Sequence, residues 1–129
     1  MTIHEALLAY IKAWPALTAL VVARIYHQAW PKDREPTFPL ITFFRVSGPR
    51  HHDISVAFPR YQFSCWAETG KEAQEVATVL REALQRFKGI MGGLEVIQIV
   101  FLNELDFLEP PVGLYQVQID FKVIYREKE

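Results

Sequence analysis

The last segment of the chain alternates apolar and polar side chains, and this period of two is the feature that most constrains the fold. Its apolar residues are Tyr115, Val117, Ile119, Phe121, Val123 and Tyr125, interleaved with Gln116, Gln118, Asp120 and Lys122. Successive side chains of an extended strand point to opposite faces of a sheet. The pattern therefore predicts a long strand with one buried and one polar face, which needs neighbouring strands and a covering layer.

Apolar residues near the start of the chain recur at the spacing of an α-helix. Thr2 and Glu5 have the spacing of a capping box, and apolar residues then recur at helical intervals, which predicts a helix over about 3–13. Pro15 interrupts this helix, but proline is tolerated in a first turn, so "PALTAL" predicts a short second helical turn.

A second amphipathic helix is predicted in the middle of the chain. Thr69 and Glu72 repeat the capping-box spacing, and Gly89 is suited to a C-cap, which together predict a helix over about 70–88. Its apolar stripe consists of Ala73, Val76, Ala77, Leu80, Ala83, Leu84 and Phe87.

Four further segments predict strands: residues 23–29, residues 39–47, a segment beginning near Arg60, and residues 94–102. The segment at 39–47 is rich in β-branched and aromatic residues. In the strand that begins near Arg60, the even-numbered residues are polar up to Trp66, which either covers the sheet end or faces a partner. Residues 94–102 are apolar nearly throughout, which favours a strand covered on both faces.

These elements give the order α-β-β-β-α-β-β. They predict an α+β fold in which two helices pack on a mainly antiparallel sheet of about five strands. The length of 129 residues fits a single domain, residues 1–129.

Charge, cysteine content and hydropathy limit the kinds of partner and the compartment that we expect for this protein. The formal net charge of −1 offers no general basic field, so we expect no sequence-specific nucleic-acid partner. A single cysteine excludes an intrachain disulfide and favours a reducing compartment. No basic leader or membrane-length apolar run is seen, so we expect a soluble, intracellular protein with no membrane partner.

The adjacent histidines in "GPRHHD" raise the question of a metal or catalytic site. Zinc needs three or four ligands converging on one point, and side chains of adjacent residues diverge in extended chain. The other histidines, His4 and His27, show no ligand spacing with His51 and His52. We therefore expect no bound metal or other cofactor, and a polar loop at this position.

For the other reactive groups, the sequence predicts structural rather than catalytic roles. Cys65 shares a face with Tyr61 and Phe63, which predicts a small buried hydrophobe rather than a reactive thiolate. No residue pattern ties a nucleophile to a base, so no enzyme activity is predicted. Arg45, Arg50 and Arg60 could form a local basic group, for which a solvated surface is the simpler interpretation.

Four stretches together resemble the tail terminator proteins of long-tailed bacteriophages, also called tail completion or tail-to-head joining proteins. They are "ALTALVVARIYHQAWP", "FPLITFFRVSGPRHHD", "RYQFSCWAETGKEAQEVATVLREAL" and "YQVQIDFKVIYRE", which follow the family's order over nearly the whole chain.

This resemblance implies a structural protein of the virion that binds the head-proximal end of the tail tube as a ring, usually hexameric. The implied partners are further copies of the chain, the tail tube protein and the head–tail connector protein, with assembly in the host cytoplasm. We expect the free protein to be a monomer or a weakly associated ring that is completed on the tube.

The resemblance also gives a role to the segment between the second and third strands, which in this family is long and reaches away from the sheet. It implies an exposed arm at a ring interface or lumen, whose candidate contact residues are Arg50, His51, His52, Asp53, Ile54 and Phe58. A loop that merely connects two strands is the alternative. For the whole chain, the alternatives are a head-side neck protein of the same joint and a small α+β ligand-binding domain or enzyme with an unrecognised pocket.

Overall fold

The computed structural model describes residues 2–33, 35–50, 54–109 and 113–127. In these residues the helices are α1 (Ile3–Lys12), α2 (Pro15–Val21) and α3 (Gly70–Leu84). The strands are β1 (Ile25–His27), β2 (Leu40–Ser47), β3 (Val56–Ala57), β4 (Arg60–Ala67), β5 (Gly89–Met91), β6 (Leu94–Glu109) and β7 (Leu114–Arg126).

The strands form one sheet with β7 near its centre. The order across the sheet is β1-β2-β4-β7-β6-β5, and β3 pairs with the end of β7 beyond β4. Only β1 and β2 are parallel, and the other pairings are antiparallel. The predicted α+β class and the mainly antiparallel sheet are confirmed.

The core lies between the helices and one face of the sheet. The alternation in β7 decides this face, because Val117, Ile119, Phe121 and Val123 are all buried. Phe63 of β4 stacks on Phe43 of β2 with ring centroids 5.0 Å apart and meets Phe121 edge to face. We call this covered side the helix side, and the opposite side the helix-free face.

Local capping explains where the helices begin. Thr2 and Glu5 form the predicted capping box, with the Glu5 N–H donating to Thr2 Oγ1 and the Thr2 N–H donating to Glu5 Oε1. At α3, Thr69 Oγ1 accepts from the Glu72 N–H. The hydroxyl of Tyr10 then joins α1 to α3 by donating to the Ala83 carbonyl at 2.7 Å.

The predicted end of α3 is wrong. The helix stops at Leu84 rather than near 88, because the next residues pair with β6 instead: the Arg86 N–H donates to the Ile99 carbonyl, and the Ile99 N–H donates to the Phe87 carbonyl. Gly89 is therefore not a C-cap but begins β5 with φ of 135°, a backbone conformation that favours glycine.

Strand β6 also differs from the prediction. It continues to Glu109 rather than 102, because it pairs with β7 along its whole length. It is not covered on both faces, since Ile97, Leu102 and Leu105 are all substantially exposed. Two further strands, β3 and β5, are only two or three residues long, too short to show a periodic pattern.

Candidate interaction surfaces

The arm between Gly48 and Phe58 returns to the sheet at its described ends. Arg50 forms an antiparallel bridge with Ala57, and the Phe58 N–H donates to the Pro49 carbonyl at 3.0 Å. These ends thus prolong the β2–β4 hairpin alongside the end of β7. The ends of the segment therefore lie against the sheet, and the exposed arm stays a prediction.

The candidate arm residues have different surroundings. Arg50 is exposed and donates from Nε to Glu127 Oε1 at 2.8 Å, and this hydrogen bond raises the pKa of Arg50. Ile54 is exposed and Phe58 is half-buried. His51, His52 and Asp53 lie outside the described residues. The structure thus brings Arg50 and Phe58 to the same end of the sheet, beside β3.

The outer side of β6 is an open strand edge over half its length. β5 pairs only with Leu94–Val96, and Arg86 and Phe87 bond to Ile99. From 101 to 109, no strand in the described part of the chain lies on this side. Leu102 and Leu105 here expose 39% and 47% of their surface.

The far end of the sheet has a second open edge. β1 covers only Ile41–Phe43 of β2, so the segment 44–47 has no outer neighbour among the described strands. Phe44 is exposed by 41% on the helix-free face, Val46 is exposed by 47% at a β-bulge, and Arg45 is exposed on the helix side. Exposed apolar residues at both ends of a sheet are typical of interaction surfaces.

The helix-free face between these edges is polar and internally hydrogen-bonded. Gln62 donates to Gln118 at 2.6 Å, and Gln116 donates to Ser64 at 2.9 Å. Trp66 donates from Nε1 to Thr42 Oγ1, and its ring meets that of Trp30 edge to face. Trp66 therefore covers one end of this face, which is one of the two positions that the sequence predicted for it.

Comparison with known proteins bears directly on these surfaces. The family model described as "Tail completion protein gp17" matches residues 5–126. The chain belongs to this family. The resemblance seen in the sequence is therefore confirmed, and the protein is a structural component of a bacteriophage tail.

A solved structure shows the same fold. A chain of the structure titled "Virion of native gene transfer agent (GTA) particle" superposes with a TM-score of 0.77, at 14% identity, with 98% of each chain covered. No curated protein matches this tail completion chain.

The three arginines do not form one basic patch in this tail completion protein. Arg60 pairs with Asp120 on the helix-free face, while Arg45 lies on the helix side and Arg50 pairs with Glu127 beside β3. Two of the three are therefore compensated by carboxylates, and the three lie on different surfaces.

Cys65 is fully buried among the core residues, as predicted. Burial raises the pKa of its thiol, with a further contribution from the nearby Glu104 carboxylate. This is the environment of a structural cysteine rather than of a nucleophile.

Sequence reasoning missed a histidine pair. The rings of His4 and His27 stack with centroids 4.5 Å apart, and His4 Nδ1 lies 3.2 Å from the Tyr61 hydroxyl. Burial, His4 and Arg45 all lower the pKa of His27. Only the packing of α1 on β1 creates this contact, so no sequence signal could have revealed it.

Two findings concern the described residues alone. Among them, no cluster of three or more histidine, cysteine or acidic side chains could hold a metal ion. Within the same ranges, no helix combines the length and apolar character needed to cross a membrane.

A cavity beside the loop after β1 has a volume of about 450 Å³. Its lining includes Lys12, Arg24, Tyr26, Trp30 and Glu35, and Arg24 is held by donating from Nε to the Pro39 carbonyl. These groups carry charge and aromatic surface but do not place a nucleophile beside a base.

Proposed function

We propose that the protein closes the head-proximal end of the tail tube as a hexameric ring. The ring stops tube polymerisation and presents a surface to which the head attaches. Its partners are other copies of the same chain, the tail tube protein and the head–tail connector protein. It is assembled in the cytoplasm of the bacterial host and remains in the virion at this joint.

Family membership over residues 5–126 is the observation that carries this proposal. A tube that grows by adding identical subunits keeps a free end that can accept another subunit. Completion therefore requires a protein that occupies that end and does not itself accept a further subunit. A ring can occupy the whole tube end, because heterologous contacts around a closed circle leave no unused lateral edge.

The exposed surfaces support an assembly role. Phe44 and Val46 at one end of the sheet, and Leu102 and Leu105 at the other, are large apolar side chains on strands rather than on loops. Strands hold these side chains in fixed positions, as a repeated interface between identical subunits requires. Burying them against partners would remove apolar surface from water.

The arm supplies further contacts in this proposal. Arg50, His51, His52, Asp53, Ile54 and Phe58 are the residues assigned to an interface or to the ring lumen. Of the described members, Arg50 and Ile54 are exposed, and Arg50 already pairs with Glu127. Phe58 is half-buried and would instead support the base of the arm.

Tube polymerisation followed by negative-stain imaging tests this function. Purified tail tube protein is allowed to polymerise with substoichiometric amounts of this protein or with equal amounts of an unrelated protein of similar size. We expect shorter tubes with a ring at one end only in the first case. Unchanged tube lengths without end density would contradict the proposal, and antibody labelling on the head side of the joint would instead identify a neck protein.

A further inference from the structure

We propose that neighbouring copies in the ring join through the edges of their sheets, the open edge of β6 in one copy docking against the open edge of β2 in the next. This inference rests on the ring proposed above. It goes beyond that ring by naming the two surfaces that close it and the side chains that make them specific.

The β6 edge offers unpaired backbone groups along Phe101–Glu109. In the described part of the chain, the outer neighbours of β6 end with β5 and with the backbone bonds to Ile99. An open edge of this kind is a template for pairing with another strand, because its outward N–H and C=O groups lack strand partners.

The second edge, at 44–47 of β2, belongs to the opposite end of the same sheet. Three antiparallel pairings, β2 with β4, β4 with β7 and β7 with β6, separate the two edges. Strand β2 therefore runs antiparallel to β6, and a sheet continued into the next copy keeps the antiparallel alternation. Because each copy contributes two different edges, the contact is heterologous and can close into a ring.

The side chains at the two edges complement one another on each face. On the helix-free face, the exposed Phe44 of β2 corresponds to the exposed Leu105 of β6. On the helix side, the exposed Arg45 cation of β2 corresponds to the exposed carboxylate of Asp106 in β6. A continued sheet keeps its faces in register, so apolar meets apolar and cation meets carboxylate.

The carboxylate of Glu104 is directed into its own copy. Its Oε1 is buried and accepts no hydrogen bond from any described residue. The nearest cation, Arg81 of α3, is 3.7 Å away, too far for a hydrogen bond. This ion pair within one copy leaves Asp106, which is exposed, as the carboxylate that this part of the β6 edge offers to a neighbour.

The two edges are offset along the strand direction. β1 covers β2 at the level where β6 is open, and β5 covers β6 near the level where β2 is open. Edges offset in this way meet around a closed ring only if the strands tilt relative to its axis, as strands in closed barrels do.

Paired charge reversals test the contact. In a ring of Arg45→Glu copies alone, the new carboxylate of one copy meets Asp106 of the next, which carries the same charge. In a ring of Asp106→Lys copies alone, the new cation likewise meets Arg45 of the next copy. In an equimolar mixture, alternating copies restore an opposite-charge pair at every interface of an even-numbered ring. We expect each variant alone to lose ring formation on tail tubes and the mixture to recover it, as counted by imaging of capped tube ends.

The controls separate this contact from the proposed function. Glu82→Lys on the exposed side of α3 should leave ring formation unchanged, and thermal melting should show that every variant is folded. If the wild-type protein forms no ring, the ring itself is wrong. If the wild type forms rings and both single variants do so equally, or if the mixture fails to recover them, the edge contact is wrong. Loss with Asp106→Lys but not with Arg45→Glu would overturn it in favour of a symmetric β6–β6 contact.

Discussion

At the scale of single residues, the histidines show how little sequence position says about surroundings. The adjacent pair His51 and His52 attracts attention in the sequence, yet the described contact is between His4 and His27, which are 4.5 Å apart by ring centroid. The ring of His27 also lies 5.2 Å from that of Phe43, against the edge of the core. This setting disfavours a positive charge on His27.

The lowered pKa of His27 predicts a pH dependence of stability. The unfolded chain takes up a proton near the ordinary histidine pKa of 6.5, while folded His27 takes it up only at lower pH. Folding is therefore opposed by protonation: stability is unaffected above about pH 7 and falls as the pH drops through 6.5 towards the folded pKa.

Thermal melting of the wild type and of His27→Gln at pH 7.5 and 5.5 measures this effect. We expect a smaller loss of Tm in the variant, because its side chain does not titrate in this range. The carboxylates contribute to both proteins alike, so the difference between them isolates His27. Equal losses of Tm would contradict a role for His27 in this pH range.

At the scale of elements, α3 and β6 behave in opposite ways. α3 buries its whole apolar stripe against the sheet, including Leu80 and Leu84 at 0% exposure. β6 buries Val96 and Ile99 near its start but exposes Leu102 and Leu105 further along. The apolar composition of α3 thus serves the core, whereas that of the distal half of β6 is available for assembly.

This contrast predicts different costs for two leucine truncations. Leu80→Ala should lower the free energy of unfolding by about 2 to 5 kcal/mol, because it leaves a cavity in the core. Leu105→Ala, the matched control, should change it by less than about 1 kcal/mol, because the side chain is half exposed. Urea denaturation of both variants measures these values, and equal costs would show that the packing of α3 is misassigned.

At the scale of the whole molecule, we expect changes in the arm to affect assembly while leaving the stability of the fold nearly unchanged. The described ends of this segment are anchored by the Arg50 bridge to Ala57 and by a hydrogen bond from the Glu127 N–H to the Ser55 carbonyl. Changes between these anchors leave the sheet pairing intact, while changes to the anchors would disturb it.

Replacing residues 51–54 by Gly-Ser-Gly-Ser, with Arg50 and Ser55 retained, tests this separation. We expect the free energy of unfolding to fall by no more than about 1 kcal/mol, since loop changes of constant length cost little chain entropy. Tube capping should fail, because a few central contacts carry most of an interface's energy.

The matched control replaces residues 32–35 with Gly-Ser-Gly-Ser, and we expect this variant to cap tubes normally. Tails of irregular length, or tails without heads, would be the sign of the arm variant in an infection assay. A variant that caps tubes normally would refute the arm's role, and one that unfolds would show that residues 51–54 support the core.

The sequence alone determined the main elements and the side of each that faces the core. Period-two alternation predicted β7 and β4, helical spacing predicted α1 and α3, and the capping box at Thr2 marked a helix start, because these signals depend on residues close in the chain. Buried Cys65 followed from the same alternation. The family resemblance was likewise carried by local patterns in a fixed order.

Tertiary structure decided what those patterns could not reach. α3 ends at Leu84 because the residues after it form backbone hydrogen bonds with β6. β6 runs to Glu109 because it pairs with β7 that far along. The His4–His27 stack, the scattering of Arg45, Arg50 and Arg60, and the open edges of β2 and β6 depend on which strands are neighbours. Neighbours in a sheet are set by contacts across the whole chain, whereas sequence periodicity reports only which face of its own element a residue occupies.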